Sequence, residues 1–308
     1  MRLIFLGTGA GVPSKFRNVS SIVLDFNDTN GDAWLIDAGE GAQLQLMKTT
    51  ISLRKIRRIF VSHLHGDHLF GLPGLLGSRS FQENTSPLDI YGPRGIEEYV
   101  ETTLRLSASH LTYDVSIHEI DDGQELFHDQ GYRMTTRLLD HVVPSFGYRI
   151  EEDERPGELQ VDKLRELGLG PGPNYGRLKA GESVTLDDGR IVNGKDYLGP
   201  GRPGRILAIC SDTRPCAAAV DLARGADVFV HESTYARTET ALAPGYGHST
   251  CVDAARLAAE SGCHTLVLTH FSARYSPDDM GILVAQAREI FPETFVMTDL
   301  AEVGIPLR

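Results

Sequence analysis

Residues 62–68 read Ser62-His63-Leu64-His65-Gly66-Asp67-His68. They follow directly on Arg58–Ser62 (RIFVS), a short β-branched run that reads as a buried strand. Four ligand-type side chains within six residues, leaving the end of a rigid strand, can converge on more than one metal ion. Imidazole nitrogen and carboxylate oxygen suit Zn2+, with Mn2+ or Fe2+ as alternatives. The competing account is chance clustering on a solvated turn. His-x-His-x-Asp-His is far more specific than a lone histidine, which argues against it.

Such a centre needs ligands from elsewhere in the chain. His141 ends the strand-like stretch Tyr132–Asp140, Asp212 follows Ile206–Cys210, and His270 follows Thr265–Thr269. Each stands where a strand delivers a side chain to one edge of a sheet. His110, His118, His128 and His264 lie in polar or alternating stretches and read as surface or packing residues.

The flanking segments alternate strands and helices. Ser21–Phe26 and Trp34–Asp37 border the polar run 27–32, a hairpin signal. Ala42–Met47 and Ile96–Leu106 read as helices, Leu69–Phe81 as an apolar, Gly-interrupted helical segment, and Leu88–Tyr91 as a strand. In the second half, strands Ile206–Cys210 and Val228–Val230 enclose a helix from about Ala217 to Ala223. A helix from about Thr250 to Ser261, the strand Thr265–Thr269 and a helix from about Pro277 to Ile290 follow. This pattern predicts an α/β protein with two sheets packed together and helices outside. The basic run Arg54-Lys55-Ile56-Arg57-Arg58 is expected to close a helix and complement its dipole.

Residues Glu151–Arg205 break the alternation, being polar and rich in Gly and Pro. An insertion of that size inside a compact domain usually has its own task. It is expected to form an ordered projecting arm, with Leu159, Val161, Leu164, Leu167, Val184, Leu186, Ile191 and Val192 as apolar anchors. Lys163 to Gly181 carries four basic residues and one acid, a local positive patch suited to the backbone of folded RNA.

Composition narrows the function classes. A chain of 308 residues suits two domains or one large α/β domain with an insertion. Its 41% hydrophobic and 23% charged content excludes disordered and collagen-like classes. No stretch approaches the roughly 18 consecutive apolar residues of a membrane helix. The strand-like opening Met1–Gly7 lacks the layout of an export signal, so a cytoplasmic location is expected. Cys210, Cys216, Cys251 and Cys263 are scattered and read as reduced thiols. The net charge of −12 argues against a nucleic-acid-coating protein. It leaves room for a nucleic-acid enzyme, since a bound metal pair supplies local positive charge.

The succession of HxHxDH and then single His, Asp and His positions resembles the metallo-β-lactamase fold superfamily. That resemblance implies a four-layer αββα sandwich over residues 1–308, with a dinuclear metal site at one edge. Carried over residue by residue, it implies that His63, His65 and His141 hold one ion, that Asp67, His68 and His270 hold the other, and that Asp212 bridges them. Asp37, in Asp37-x-Gly39-x-Gly41, matches the superfamily aspartate that orients the metal loop without ligating.

Within the superfamily, four segments resemble the ribonuclease Z family. Pro13-Ser14-Lys15-Phe16-Arg17-Asn18 matches its Pro-x-Lys-x-Arg-Asn loop, and His231-Glu232-Ser233-Thr234 its His-Glu-Ala/Ser-Thr motif. Gly247-His248-Ser249 matches its additional histidine, and His270-Phe271-Ser272-x-Arg274-Tyr275 its C-terminal segment. The resemblance spans essentially the whole chain. It implies a zinc-dependent endoribonuclease with two Zn2+ per chain. This enzyme would remove the 3′ trailer from tRNA precursors, leaving a 3′-hydroxyl on the tRNA and a 5′-phosphate on the trailer. It further implies that the insertion 151–205 is a flexible arm gripping tRNA, and that the protein is a homodimer in which one subunit's arm serves the other's site. Asp67 is expected as general base. His248 is expected to protonate the leaving oxygen or bind the scissile phosphate, with Glu232 holding its tautomer, while His231 is structural. Lys15, Phe16, Arg17, Asn18 and Arg274 are the expected substrate contacts. Rival readings are a thioester or small-phosphodiester hydrolase with the same centre, and a non-catalytic RNA-binding protein. The arm and the Pro13–Asn18 loop argue against the first, and the full ligand set argues against the second.

Overall fold

The computed structural model describes residues 1–26, 31–82 and 85–307. Period-two alternation sorts the strand side chains onto two buried faces. In Arg2–Gly7, Leu3 and Phe5 enter one apolar cluster while Ile4 and Leu6 enter another, and all four are buried. Strands apolar on both faces must lie inside a layered protein.

Two seven-stranded sheets result. The first runs Glu302–Gly304, Arg2–Gly7, Ser21–Asp25, Ala33–Ile36, Ile56–Phe60, Leu88–Gly92 and Val115–Glu119. The second runs Thr294–Val296, Thr265–Thr269, Val228–Glu232, Ile206–Cys210, Phe146–Glu152, Tyr132–Leu138 and Glu125–Asp129. They face each other across a core that includes Phe5, Trp34, Phe60, Tyr148, Ile209 and Val230. Helices Leu72–Phe81 and Ile96–Leu106 cover the outside of the first sheet. Helices Ala217–Ala223, Cys251–Ser261 and Met280–Arg288 cover the outside of the second. The order of layers is therefore αββα, as the sequence led us to expect. Ser21–Asp25 and Ala33–Ile36 pair antiparallel, while residues 27–30 of the expected turn lie outside the described residues.

Three local expectations change. The strand before the metal loop is Ile56–Phe60 rather than Arg58–Ser62. The basic run closes no α-helix: Arg54 and Lys55 sit in a single 3-10 turn, Leu53–Lys55, and Arg57 and Arg58 are in the strand. Arg58 finds its partners on the facing sheet instead, with its guanidinium 3.9 Å from the Phe127 ring centre and 2.6 Å from Asp129. The apolar segment Leu69–Phe81 breaks into Gly66–Leu69 and Leu72–Phe81. At the break, Gly71 donates its N–H to the Ala38 carbonyl at 2.8 Å. A Cβ on Gly71 would collide with the Gly39 carbonyl oxygen.

The insertion builds its own small core. Helices Val161–Glu166 and Pro173–Lys179 and the hairpin of Ser183–Thr185 with Ile191–Asn193 enclose Leu164, Leu178, Val184 and Val192. Ile191 points outward and is 72% exposed. Its two connecting strands are held together by the bridges Arg155–Arg202 and Leu159–Leu198. At its root Glu152 takes a two-oxygen grip from Arg205, at 2.8 Å on each side.

Candidate metal centre

The topology brings the singled-out side chains to one edge. Strands Ala33–Ile36 and Ile56–Phe60 are parallel neighbours, as are Ile206–Cys210, Val228–Glu232 and Thr265–Thr269. Their carboxyl ends deliver Asp37, the 62–68 loop, Asp212, Glu232 and His270. Tyr132–Leu138 and Ile206–Cys210 are both antiparallel to Phe146–Glu152, so His141 emerges at the same edge. Ligand sites beyond the carboxyl ends of parallel strands are the general rule for α/β sheets. Asp37 and His270 hold left-handed backbones, with φ of 59° and 58°. Conformations of that kind cluster where surrounding structure enforces a site.

Seven side chains meet there, in two groups that share Asp212. His63, His65, His141 and Asp212 form one group, and Asp67, His68, Asp212 and His270 form the other. From Asp212, Oδ2 lies 3.5 Å from His63 Nε2 and 3.9 Å from His141 Nε2. Oδ1 lies 3.1 Å from His270 Nε2 and 3.4 Å from His68 Nε2. Asp67 Oδ2 is 3.4 Å from Nε2 of both His68 and His270.

The far nitrogens of the His68, His141 and His270 rings are held. Asp37 receives the Ser62 N–H at 2.7 Å on Oδ1, and His68 Nδ1 lies 2.7 Å from its Oδ2. His141 Nδ1 is 2.7 Å from the Gly247 carbonyl, and His270 Nδ1 is 2.9 Å from Thr234 Oγ1. Ring nitrogens fixed in this way leave the opposite nitrogens free to ligate.

The donor set fits a pair of divalent cations. Asp212 is buried and its Oδ1 has no hydrogen-bond partner, an expensive arrangement unless a cation takes the lone pairs. Burial pushes the Asp212 carboxyl toward the neutral form, but His270, His68 and His63 outweigh it and hold its pKa well below the usual range. His68 shows the converse. Burial disfavours its charge, yet Asp212 and Asp37 raise its pKa well above that of a free imidazole. The pocket is built to hold positive charge. His63, deep and next to His68, is pushed the other way, toward the neutral imidazole that ligation requires.

Beside the centre stands His248, its side chain 16% exposed. Its Nδ1 is 2.9 Å from Glu232 Oε1. Burial lowers its pKa, but Glu232 more than reverses this and raises it to about 9. Glu232 is fully buried and also accepts from the N–H groups of Ser249, Thr213 and Thr234. His231, on the same strand, is buried and hydrogen-bonded to the Glu232 carbonyl, away from the ligand groups.

The expected substrate contacts separate. Lys15 and Phe16 are exposed, Phe16 by 62%. Arg274 is exposed and lies 5.0 Å from the Tyr235 ring centre. Asn18 is half-buried and donates to the Glu40 carbonyl at 2.8 Å. Arg17 departs from expectation: it is 5% exposed, donates to Thr8 Oγ1 at 2.6 Å and the Met297 carbonyl at 3.0 Å, and stacks on Phe271. Its charge braces the loop from within and is not presented to solvent. Sequence reading missed Asp299 altogether. This carboxylate accepts from the N–H groups of Thr8 and Asn18 and from Gln45 Nε2. Its only signal was an acid after an apolar strand, Thr294–Val296.

Comparison with known proteins places this architecture. A family model described as anti-Pycsar protein Apyc1 matches residues 1–153, the half carrying the metal loop. Ribonuclease Z of Limosilactobacillus reuteri (strain DSM 20016) is 53% identical over 308 residues, 100% of each chain. Ribonuclease Z of Geobacillus kaustophilus (strain HTA426) is 50% identical over 306 residues, 99% of each chain. The crystal structure of the short form of human tRNase Z is 30% identical and superposes with a TM-score of 0.74, covering 100% of both chains. A metallo-β-lactamase fold protein from Bacillus subtilis, 16% identical over 98% of each chain with a TM-score of 0.69, shares the fold. With full-length relatives at this level of identity, the chain belongs to the ribonuclease Z family.

Proposed function

We propose that this protein is a metal-dependent endoribonuclease that removes the 3′ trailer from tRNA precursors, leaving a 3′-hydroxyl on the tRNA and a 5′-phosphate on the trailer. The observation that carries this reading is His248, poised on Glu232 beside two groups of ligand-type side chains that share Asp212. His63, His65 and His141, together with Asp67, His68, His270 and Asp212, would hold two zinc ions, which would supply water activation and charge stabilisation at the phosphate. Asp67 accepts the proton of the attacking water. His248, its Nδ1 side taken by Glu232, turns Nε2 to the departing ribose oxygen and protonates it. Glu232 keeps that ring in register.

The arm grips the tRNA away from the cut. Lys163 and Lys179 are exposed on it, while Arg165 and Arg177 pair with Asp162 and Glu182. Lys15, Phe16, Asn18 and Arg274 contact the RNA near the cleavage point, with Phe16 stacking on an unpaired base. A homodimer, in which each arm serves the partner's site, would cover Leu44, Met47 and Phe70, exposed by 65%, 73% and 63% on the segments flanking the metal loop. Among the described residues no helix is long and apolar enough to cross a membrane. The four cysteines form no disulfide, in keeping with a cytoplasmic site of action. Incubation of the purified protein with a 3′-extended tRNA precursor, with both product ends mapped, tests the reading. Cleavage at the trailer junction with the stated ends is expected, and no cut, or a 3′-phosphate on the tRNA, overturns it.

A further inference from the structure

Two buried carboxylates hold the imidazoles of the centre in the same manner. Asp37 takes His68 directly and reaches His63 through Ser62, whose hydroxyl donates to Asp37 Oδ2 at 2.9 Å and lies 3.0 Å from His63 Nδ1. Glu232 takes His248 directly and reaches His270 through Thr234, whose hydroxyl donates to Glu232 Oε2 at 2.8 Å and lies 2.9 Å from His270 Nδ1. Both carboxylates and both hydroxyl residues are buried.

Proton counting decides what the Thr234 hydroxyl does. It has one proton, and the carboxylate can only accept. With that proton given to Glu232, Oγ1 can only accept from the His270 ring, so Nδ1 must carry the ring proton. Nε2 is then left as a lone pair 3.1 Å from Asp212 Oδ1. Oε1 of Glu232 therefore holds His248, and Oε2 holds His270 through Thr234, whose hydroxyl also lies 3.3 Å from His248 Nδ1.

We infer that Thr234 is a positioning residue that relays Glu232 to His270 and fixes that ring as an Nε2 metal ligand. The inference rests on the metal-centre reading above. Thr234 also borders His248, at 3.3 Å, so metal retention rather than turnover is the readout that isolates its action on His270.

The test compares Thr234→Val, which keeps shape and removes the hydroxyl, with Thr234→Ser, which keeps the hydroxyl. Zinc-loaded protein is titrated with a competing chelator and retained zinc is measured. Thr234→Val is expected to release one of its two ions at 10- to 100-fold lower chelator, while the other ion behaves as in the parent. Thr234→Ser is expected to behave like the parent. Retention of both ions by Thr234→Val at parental affinity, or equal loss in Thr234→Ser, overturns the relay. Long-range 1H–15N correlation of the imidazoles in the unaltered zinc-loaded protein gives a reading independent of either variant. A proton on Nδ1 of His270 is expected, and a proton on Nε2 overturns the relay. If the unaltered protein retains no zinc, the metal-centre reading fails first, and the relay with it. If it retains two ions and Thr234→Val does as well, the relay alone fails.

Discussion

The backbone N–H of Gly11 donates to Oδ2 of Asp67 at 2.7 Å, tying the loop before Asn18 to a carboxylate of the metal centre. That loop is itself pinned from the far end of the chain. Asp299 accepts from the Thr8 N–H at 3.0 Å, from the Asn18 N–H at 2.6 Å and from Gln45 Nε2 at 2.9 Å. Arg17 lies alongside, anchored on Thr8, Met297 and Phe271. The register of the loop and the attitude of Asp67 are thus set together.

Asp299→Ala should disturb both. It leaves several partly buried donors without an acceptor, at a cost on the order of 1–3 kcal/mol each. Denaturant unfolding should show that loss. Turnover of precursor tRNA and of a small chromogenic phosphodiester should fall together, roughly tenfold to a hundredfold, because a small misplacement of the reacting groups is costly. A stability loss with unchanged turnover of the small substrate would show that Asp67 holds its position without the loop.

His248→Ala should separate chemistry from metal binding. Its Nδ1 faces Glu232, and it belongs to neither group of ligands around Asp212, although with Glu232 and His270 it forms a third cluster of ligand-type side chains. Elemental analysis should return about two ions per chain in both parent and variant, while turnover falls by about 10²- to 10⁴-fold. Asp67→Ala, losing a ligand and the proposed base together, should be inactive. Loss of an ion from His248→Ala would move that histidine into the ligand set.

Gly247→Ala is expected to fail for a different reason. Gly247 has φ of 80°, which costs an L-residue about 1–2 kcal/mol. A Cβ there would stand 2.6 Å from His141 Nδ1, the atom that the Gly247 carbonyl now holds. The variant should bind the ion of His63, His65 and His141 more weakly, which the same elemental analysis after dialysis against chelator measures. Full metal retention would show that His141 can shift without leaving the site.

These contacts mark where sequence reading stops. The seven ligand-type residues were legible because a dense local motif names four of them and strand ends name His141, Asp212 and His270. Two packed sheets with helices outside were legible from alternating strands and helices, and the αββα order from the superfamily resemblance; the sorting of Leu3/Phe5 and Ile4/Leu6 onto opposite faces is a finding of the fold. Arg17 was misread because an arginine in a polar loop looks solvated until Phe271, distant in sequence, is placed against it. Arg58 was misread because a basic run looks like a helix end until Asp129 and Phe127 arrive from another strand. Asp299 follows an apolar strand and Thr234 stands in the His231–Thr234 motif, but their roles depend on Thr8, Asn18, Gln45 and His270, which only the fold brings against them.

The root of the arm should make stability depend on pH. Burial tends to raise the Glu152 pKa, but hydrogen bonds from Arg205 outweigh it and lower it below the usual value. A carboxyl whose folded pKa is depressed contributes stability above its unfolded pKa, and that contribution is lost as pH falls through the folded value. Denaturation midpoints measured from pH 7 down to about 3 should therefore fall more for the parent than for Glu152→Gln. The variant should start lower at pH 7, since Arg205 is buried and loses its grip. Parallel curves would show that the pair does not govern the acid limb.

Removing the arm should divide substrate recognition from catalysis. Its apolar side chains pack on one another, around Leu164, Leu178, Val184 and Val192, apart from the clusters of the sandwich. The Leu159–Leu198 bridge marks a natural seam. Deleting Val161–Tyr197 and closing with a short Gly/Ser linker leaves that bridge and the Glu152–Arg205 pair in place. The shortened protein should keep its metal content and its turnover of a small chromogenic phosphodiester, which asks nothing of the arm. Cleavage of precursor tRNA should drop steeply, because contacts far from the scissile bond supply the energy that positions it. Binding of tRNA by the parent should weaken as salt rises, with a slope set by the few phosphate contacts made. The shortened protein should show a shallower slope. If it processed precursor tRNA as well as the parent does, recognition would have to reside in Lys15, Phe16 and the mouth of the metal centre alone.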